Sequence, residues 1–135
     1  MQTESSPTTQ YAAVLDLLAA YYDGLYTLDA DKLREVFSPT ARYATVRDDS
    51  LLELSVDEYL PQLASRTSPA DEGVAYDYRV VSIRFAGEHT ALAELQCSLF
   101  GYDYTDFLSL LRIDGRWRVQ SKVFEGVPHR HTEES

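Results

Sequence analysis

Apolar residues near the start of the chain recur every three or four positions, which is the period of a helix with one buried face. Residues 10–26 follow this period at Val14, Leu15, Leu18, Tyr21, Tyr22 and Leu25. A second, short helix is predicted after Asp29, because its carboxylate can accept hydrogen bonds from the first free amides of a helix. Pro39 marks the end of that helix.

Two short strands and a third helix are predicted next. The strands cover residues 42–47 and 51–54. Ser55 and Glu58 have the spacing of a capping box, in which each side chain bonds to the other residue's backbone amide. The helix that they open contains Pro61, which should kink or shorten it.

The second half of the chain alternates apolar and polar residues, the pattern of strands with one buried face. Four segments have this pattern: residues 78–86, 89–100, 104–113 and 116–124. Asp114-Gly115, between the last two, is a strong hairpin signal. Helices followed by an antiparallel meander predict an α+β fold with the helices on one face of the sheet. We expect one domain at 10–126, with disordered ends at 1–9 and 127–135.

The alternation also predicts which side chains point inward. The expected inner set of the last two strands is Trp117, Val119, Ser121 and Val123, with Thr105, Phe107, Ser109, Leu111 and Ile113. In the central strand Leu95 and Cys97 are expected on the same side. Asp106 then falls on the outer side, where Arg112 or Arg118 can pair with it.

The outer side of the predicted sheet is only partly polar. Its apolar residues are expected to be Leu92, Phe100, Leu108, Leu110 and Phe124. Contiguous apolar surface of this extent is rarely left in water. We therefore expect a homodimer that forms through the outer face of the sheet.

Composition and charge narrow the classes of function. The chain has 135 residues, 44% of them hydrophobic, and this length suffices for a single core. Its formal net charge of -10 repels phosphate backbones, so nucleic-acid binding is not expected. The first ten residues lack the basic and apolar parts of a signal peptide, and no stretch approaches the roughly 18 apolar residues that span a bilayer. We expect a cytoplasmic protein without a membrane partner.

Metal and cofactor sites are not predicted. His129 and His131 lie close together in the tail, which makes a poor metal site. No glycine-rich phosphate loop occurs, so no cofactor is expected. The one cysteine, Cys97, cannot form an internal disulfide and is interpreted as a small buried side chain.

Three segments resemble the nuclear transport factor 2-like superfamily: residues 28–43 (LDADKLREVFSPTARY), 55–60 (SVDEYL) and 105–124 (TDFLSLLRIDGRWRVQSKVF). The chain is most similar to a group named for lumazine binding, which is close to the SnoaL-like polyketide cyclases, over residues 10–125. The resemblance implies a cone-like curved antiparallel sheet packed on three N-terminal helices, a cystatin-like roll with a cavity. Isomerases, dehydratases, cyclases, binding modules and transport factors share this fold, so it does not select a function.

Two cofactor-free enzymes of the superfamily, ketosteroid isomerase and scytalone dehydratase, indicate which catalytic groups this chain retains. Tyr21 falls on the isomerase tyrosine that donates to the developing oxyanion. Thr45 falls on its general base, and Ser109 lies near the protonated aspartate of its oxyanion hole. By this resemblance, the chain keeps the phenol of the isomerase site at Tyr21, but it has a hydroxyl side chain at or near each of the two positions that are acidic in the isomerase. Tyr22 and Asp23 are the further catalytic candidates, to polarise a carbonyl and to move a proton.

The predicted cavity is lined by hydroxyl groups and apolar walls. The hydroxyl groups are those of Tyr21, Tyr22, Tyr43, Thr45, Ser109 and Ser121. The walls are Leu25, Phe37, Tyr59, Leu95, Cys97, Phe107 and Trp117. Arg47 shares the alternation of Tyr43 and Thr45 and can hold an anionic ligand at the rim. The alternative is an interior that these side chains fill completely.

Three hypotheses about function remain open. The first is a protein that binds a small hydrophobic or aromatic metabolite in the cavity. The second is a cofactor-independent isomerase, dehydratase or cyclase that uses Tyr21 or Tyr22 with Asp23. The third is a dimeric interaction module whose working surface is the outer sheet face. The absence of a carboxylate from the predicted lining favours the first.

Overall fold

Three helices and six strands make up the part of the chain that the computed structural model describes, residues 6–129. The helices are α1 (Pro7–Thr27), α2 (Ala30–Val36) and α3 (Val56–Ala64). The strands are β1 (Phe37–Arg47), β2 (Ser50–Ser55), β3 (Tyr78–Phe85), β4 (Thr90–Leu99), β5 (Tyr102–Ile113) and β6 (Arg116–Pro128). The predicted α+β class is confirmed.

The ends of the ordered region differ from the predicted bounds. Ser6 caps α1, because its hydroxyl oxygen accepts from the amide of Thr9 at 3.1 Å, so the helix begins inside the segment predicted to be disordered. Strand β6 continues to Pro128, two residues beyond the predicted domain boundary. The rest of the predicted disordered ends, together with His131, lies outside the described residues.

The sheet has the order β2-β1-β6-β5-β4-β3. The pairs along β3, β4, β5 and β6 are antiparallel, as the meander predicts, but β1 lies parallel to β6. The sheet is therefore mixed, which corrects the expectation of a purely antiparallel one. No tight turn joins β1 to β6, and only tight turns oblige neighbouring strands to run in opposite directions.

The β5–β6 hairpin sets which side chains point inward. Asp114 and Gly115 both have positive φ, as a two-residue hairpin turn requires, and they pair Ile113 with Arg116. Directly paired residues lie on the same face of a sheet. The inner partner of Trp117 is therefore Arg112 rather than Ile113.

One extra residue in β6 then reverses the alternation. Val119 pairs with Leu110 and Ser121 pairs with Ser109, which leaves Gln120 as a β-bulge. The residues of β6 that are buried beyond this point are Lys122 and Phe124. A strict period of two cannot reveal such an insertion, and the predicted facing was wrong for this half of the strand.

Both effects invert the predicted faces of the last two strands. Asp106, Leu108 and Leu110 are buried on the inner side of β5, where they had been expected on the outer side. Phe107 and Ser109 are exposed on the outer side. The predicted outer apolar set is therefore wrong in four of its members: Leu108, Leu110 and Phe124 are buried, and Phe100 lines the cavity described below.

The helices cover the inner face of this curved, unclosed sheet. Helix α1 buries its predicted apolar face, and Gly24 lies against α2 so closely that a Cβ there would stand 2.6 Å from Leu33 Cδ2. Ser55 and Glu58 form the predicted capping box, and α3 runs through Pro61. Helix α3 thus starts at a defined point over the inner face of the sheet, and that placement forms the site.

Candidate functional site

A cavity of about 290 Å³ lies under helix α3, between it and the inner face of the sheet. Its apolar and aromatic lining includes Leu25, Leu63, Leu99, Phe100, Tyr104 and Phe124. Four charged residues also line it: Arg47, Arg66, Asp106 and Lys122. An interior that side chains fill completely, the alternative considered above, is therefore not what this chain has.

Lys122 lies in a cage of aromatic rings. Its Nζ stands 4.8 Å from the ring centre of Phe124 and between 5.3 and 5.6 Å from those of Tyr21, Tyr43 and Tyr59. A cation over ring faces is attracted by their negative charge density, and more strongly when water is excluded. Within residues 6–129 no carboxylate oxygen lies within 4.0 Å of this ammonium group. The cation is held by rings and not by an ion pair.

Asp106 is the buried acid of the site and is only 1% exposed. Its Oδ2 accepts a hydrogen bond of 2.6 Å from the phenol of Tyr21, which is fully buried on α1. Its Oδ1 is buried without a hydrogen-bond partner among the described residues. Because a buried polar atom without a partner costs about 1–3 kcal/mol, this oxygen is a candidate contact for a ligand.

The pKa values of Tyr21 and Lys122 depend on burial and on the groups that surround them. Burial, and then the carboxyl group of Asp106, raises the pKa of Tyr21 well above its ordinary value. Burial alone would lower the pKa of Lys122, but the oxygens of Tyr21, Tyr59 and Asp106 outweigh it, and the pKa lies above its ordinary value. At neutral pH the site therefore holds a neutral phenol beside a charged ammonium group.

Cys97 faces the same cavity from β4. Burial, and then the nearby carboxyl group of Asp106, raises the pKa of its thiol to about 12. A thiol of this kind carries little thiolate at neutral pH. The interpretation of Cys97 as a small buried side chain, without a nucleophilic role, agrees with this environment.

Five of the predicted wall and rim residues line the cavity: Leu25, Tyr43, Arg47, Tyr59 and Cys97. The positions of Leu25 and Tyr59 follow from helix periodicity, and those of the other three follow from strand alternation. Tyr21 touches the site through its bond to Asp106 and through its ring under Lys122. It is the one predicted catalytic residue that the structure brings to the charged groups.

The other two catalytic candidates lie elsewhere. Tyr22 stacks with Tyr26 and Tyr78, and its hydroxyl oxygen accepts from the backbone amide of Asp77. Asp23 lies at the surface, where it accepts from the hydroxyl of Tyr76 and pairs with Lys32 at 3.7 Å. Both residues fasten the segment that leads into β3 to helix α1.

Three predicted lining residues are buried next to the cavity without lining it. Thr45 donates to the backbone carbonyl of Phe124 at 2.6 Å, which joins β1 to β6. Phe37 packs edge-on against the rings of Tyr21 and Tyr59. Leu95 is part of the core. Thr45 and Phe37 thus contact residues of the cage.

Four predicted lining residues lie away from the cavity, three of them because of the inverted facing. Phe107, Ser109 and Ser121 lie on the outer side of the sheet. Trp117 points inward, but its indole nitrogen donates to the side chain of Gln10 at 2.7 Å, at the opposite end of the inner face from the cavity. The hydroxyl-lined cavity predicted from these positions is wrong in this part.

Lys122, Asp106 and Arg66 were missed as site residues. The bulge hides Lys122, since strict alternation places it among surface residues. For Asp106 a signal existed: once the hairpin turn pairs Ile113 with Arg116, alternation brings residue 106 to the inner side. Arg66 follows the end of α3 and stacks on Phe100, at 4.5 Å from the ring centre, and no local pattern announces this contact.

The described part of the chain has neither a metal-ligand cluster nor a membrane-spanning helix. Across residues 6–129 no group of three or more His, Cys, Asp or Glu side chains is arranged to hold a metal ion. No helix in that range is long and apolar enough to cross a membrane. The cytoplasmic location stays a prediction.

Comparison with solved structures agrees with this fold. The chain is similar to an NTF2-like protein of unknown function from Shewanella baltica OS155, with 25% identity, a TM-score of 0.83 and coverage of 93% of this chain and 99% of the other. It is also similar to an NTF-2 like protein of unknown function from Silicibacter pomeroyi DSS-3, with 22% identity, a TM-score of 0.78 and coverage of 90% of this chain and 99% of the other. A cystatin-like domain from Nostoc punctiforme PCC 73102 matches at 15% identity and a TM-score of 0.65, over 96% of this chain and 82% of the other.

A curated protein matches over a short stretch only. It is named "Aldolase FrzH", from Cladobotryum sp, and is 54% identical over 26 residues, which are 19% of this chain and 21% of that protein. The chain thus spans about a fifth of the length of this relative. The family model described as "Putative lumazine-binding", in contrast, matches residues 9–125. That match covers the helices, the sheet and the cavity, and the chain accordingly belongs to this family within the nuclear transport factor 2-like superfamily.

Proposed function

We propose that this chain binds a small, largely apolar or aromatic molecule in the cavity under α3. The observation that carries the proposal is Asp106, whose Oδ1 lies buried without a donor in a cavity that also holds the ammonium group of Lys122. Burying charge without a close partner is costly, and proteins keep such groups mainly where they act. A ligand with a donor and an acceptor would satisfy both groups at once.

The shape of the cavity supports a small ring compound. Its volume of about 290 Å³ lies at the lower end of the range for ligand pockets. Tyr43 and Tyr59 stack on each other with ring centres 4.2 Å apart and offer a flat wall. The family description names lumazine, a flat heterocycle with N–H and C=O groups, which is a molecule of this general kind.

Proton-transfer chemistry is a second candidate, and Asp106 favours it. The free Oδ1 of Asp106 faces the cavity, where it can take a proton from carbon. Lys122 could stabilise the negative charge that develops on the substrate. The carboxylate that moves the proton would be Asp106 and not Asp23.

We also propose a homodimer through the outer face of the sheet, with a patch different from the one predicted. Leu92, Phe107 and Val123 lie exposed on β4, β5 and β6, and Phe107 pairs directly with Val123. Arg84 and Glu94 lie on the same face and carry opposite charges. A patch with both signs can face a second copy of itself across a two-fold axis.

We expect Leu52→Trp to block the cavity. Leu52 lines it from β2, whereas its neighbour Leu51 is 70% exposed on the other face. The neutral dye N-phenyl-1-naphthylamine, which fluoresces in apolar surroundings, should bind the natural protein and bind Leu52→Trp at least about fivefold more weakly, a loss of roughly 1 kcal/mol. Leu51→Trp is the matched control and should bind normally. Equal affinity in all three folded proteins would contradict the proposal.

Lys122→Met should not strongly destabilise the protein. Methionine fills the space of the lysine stem and packs well against rings, and it removes both the cost of burying a charge and the attraction of that charge to nearby oxygens. Because these two effects oppose each other, we expect the free energy of unfolding in urea to change by less than about 2 kcal/mol. Lys32→Met, at an exposed lysine, should change it little. A loss of more than about 2 kcal/mol would mean that Lys122 is retained for stability rather than for a ligand.

A carbon acid tests the base directly. 5-Nitrobenzisoxazole loses its ring C–H proton to a base while its N–O bond breaks, which yields a coloured phenolate. The protein should accelerate this elimination, and Asp106→Asn should lower the rate at least about tenfold because the amide is no base. Asp103→Asn, an exposed carboxylate of the same strand, is the control. Unchanged rates in Asp106→Asn would rule out Asp106 as the base.

The dimer is tested by Phe107→Glu. This residue is 45% exposed in the middle of the patch, so the substitution should leave the fold intact. Two like charges would then meet across the two-fold axis, and light scattering should report a monomer where the natural protein is a dimer. Leu51→Glu, at an exposed apolar residue outside the patch, should remain dimeric. A natural protein that is monomeric at high micromolar concentration would refute the proposal.

A further inference from the structure

We infer that the ligand of this cavity is an organic anion, a ring compound that carries a carboxylate which binds at the mouth of the cavity. The inference rests on the proposed function, since it concerns the chemical class of the molecule bound at the same site. It follows from the sign of the charges around the cavity, from their lack of partners and from their depth.

The charge of the cavity wall is opposite to that of the chain. The protein has 22 acidic and 12 basic residues, and acidic side chains therefore dominate its surface. Around the cavity, however, three charged residues are cationic, Arg47, Arg66 and Lys122, and one is acidic, Asp106. A cationic mouth attracts anions even on an acidic protein. The cations at the mouth lie close to a bound anion, whereas the more distant acidic groups of the surface are screened by salt.

The cations at the mouth have no carboxylate partner. Arg34, Arg42 and Arg116 each contact a carboxylate, at 2.9, 3.3 and 2.6 Å, whereas several other arginines of the described range do not. In the described range of the chain, neither Arg47 nor Arg66 has a carboxylate oxygen within 4.0 Å. Their guanidinium groups are therefore available to an acid that comes from outside.

Depth separates the charges into two levels. Arg47 and Arg66 are exposed and so form the mouth, whereas Lys122 is 6% exposed and Asp106 is 1% exposed at the inner end. The stacking of Arg66 on Phe100 holds the guanidinium plane, and a planar guanidinium group suits the two oxygens of a carboxylate.

The inner level defines the other end of the ligand. Asp106 Oδ1 needs a donor, such as a hydroxyl or a ring N–H, and the ammonium group of Lys122 needs an acceptor. The aromatic rings between the two levels need an apolar body. The class is thus a cyclic or aromatic carboxylic acid with a hydroxyl or N–H group on its ring system.

The test is competition between two probes that differ only in charge. 2-Anilinobenzoate and 2-anilinobenzamide each have two rings and an N–H group, and only the first is an anion at neutral pH. Each is used to displace N-phenyl-1-naphthylamine from the full chain. We expect the acid to displace the dye at a concentration roughly fivefold to tenfold lower than the amide. Added salt should lower the affinity of the protein for the acid and leave its affinity for the amide unchanged.

Variants assign the preference to the mouth. Arg47→Gln and Arg66→Gln should each reduce the ratio between acid and amide towards one, with the dye affinity of each variant measured separately so that the ratio is compared on an equal basis. Arg34→Gln removes an exposed charge of α2 that lies outside both the cavity and the proposed dimer patch, and it should leave the ratio intact. An equal loss in Arg34→Gln would assign the preference to general charge and overturn the inference.

The two proposals fail in different ways. If the dye binds and both probes displace it equally, the ligand is not selected for its charge, and the inference falls while the proposed function stands. If the dye does not bind, or binds equally to Leu52→Trp, the cavity is not a binding site and both fall. Preference for the acid that disappears in Arg47→Gln and Arg66→Gln supports both.

Discussion

A single extra residue in the last strand decides what kind of cavity this protein has. Without the bulge at Gln120, Ser121 and Val123 would continue inward from Val119, and the interior would be apolar with one hydroxyl. With the bulge, Lys122 and Phe124 point inward. The insertion thus exchanges a neutral wall for a cation and a ring, and the remaining polar groups of the site are arranged around that cation.

The buried charges are stabilised indirectly. Lys122 gains from rings around it, and Asp106 gains from the phenol of Tyr21, yet neither is satisfied by the other through direct contact. Removing a charge from water is costly, and for Lys122 the surrounding oxygens outweigh that cost, as its raised pKa indicates. The Oδ1 of Asp106 has no such compensation among the described residues.

Local patterns predicted the helices of this fold well, because each depends on neighbouring residues. The cap at Asp29 and the box at Ser55 are formed as their spacing indicates. Faces of strands depend on register instead, and register depends on the hairpin turn and on the bulge. The turn could be read from Asp114-Gly115, but applying it one residue out of step moved Asp106 to the wrong side. Nothing in the residues around Gln120 marks the bulge, and so Lys122 could not be found.

The parallel pairing of β1 with β6 has a consequence for how the molecule acquires its site. Thr45 and Phe124 bond to each other across 79 positions of the chain, and the ring of Tyr43 meets Lys122 over a similar span. Closing so long a loop is slow compared with forming a helix or a hairpin, because much chain entropy is lost before any contact compensates for it. The cage around Lys122 is therefore among the last parts to form. During synthesis the chain cannot form this cage until its final strand has emerged, because Lys122 and Phe124 lie in that strand.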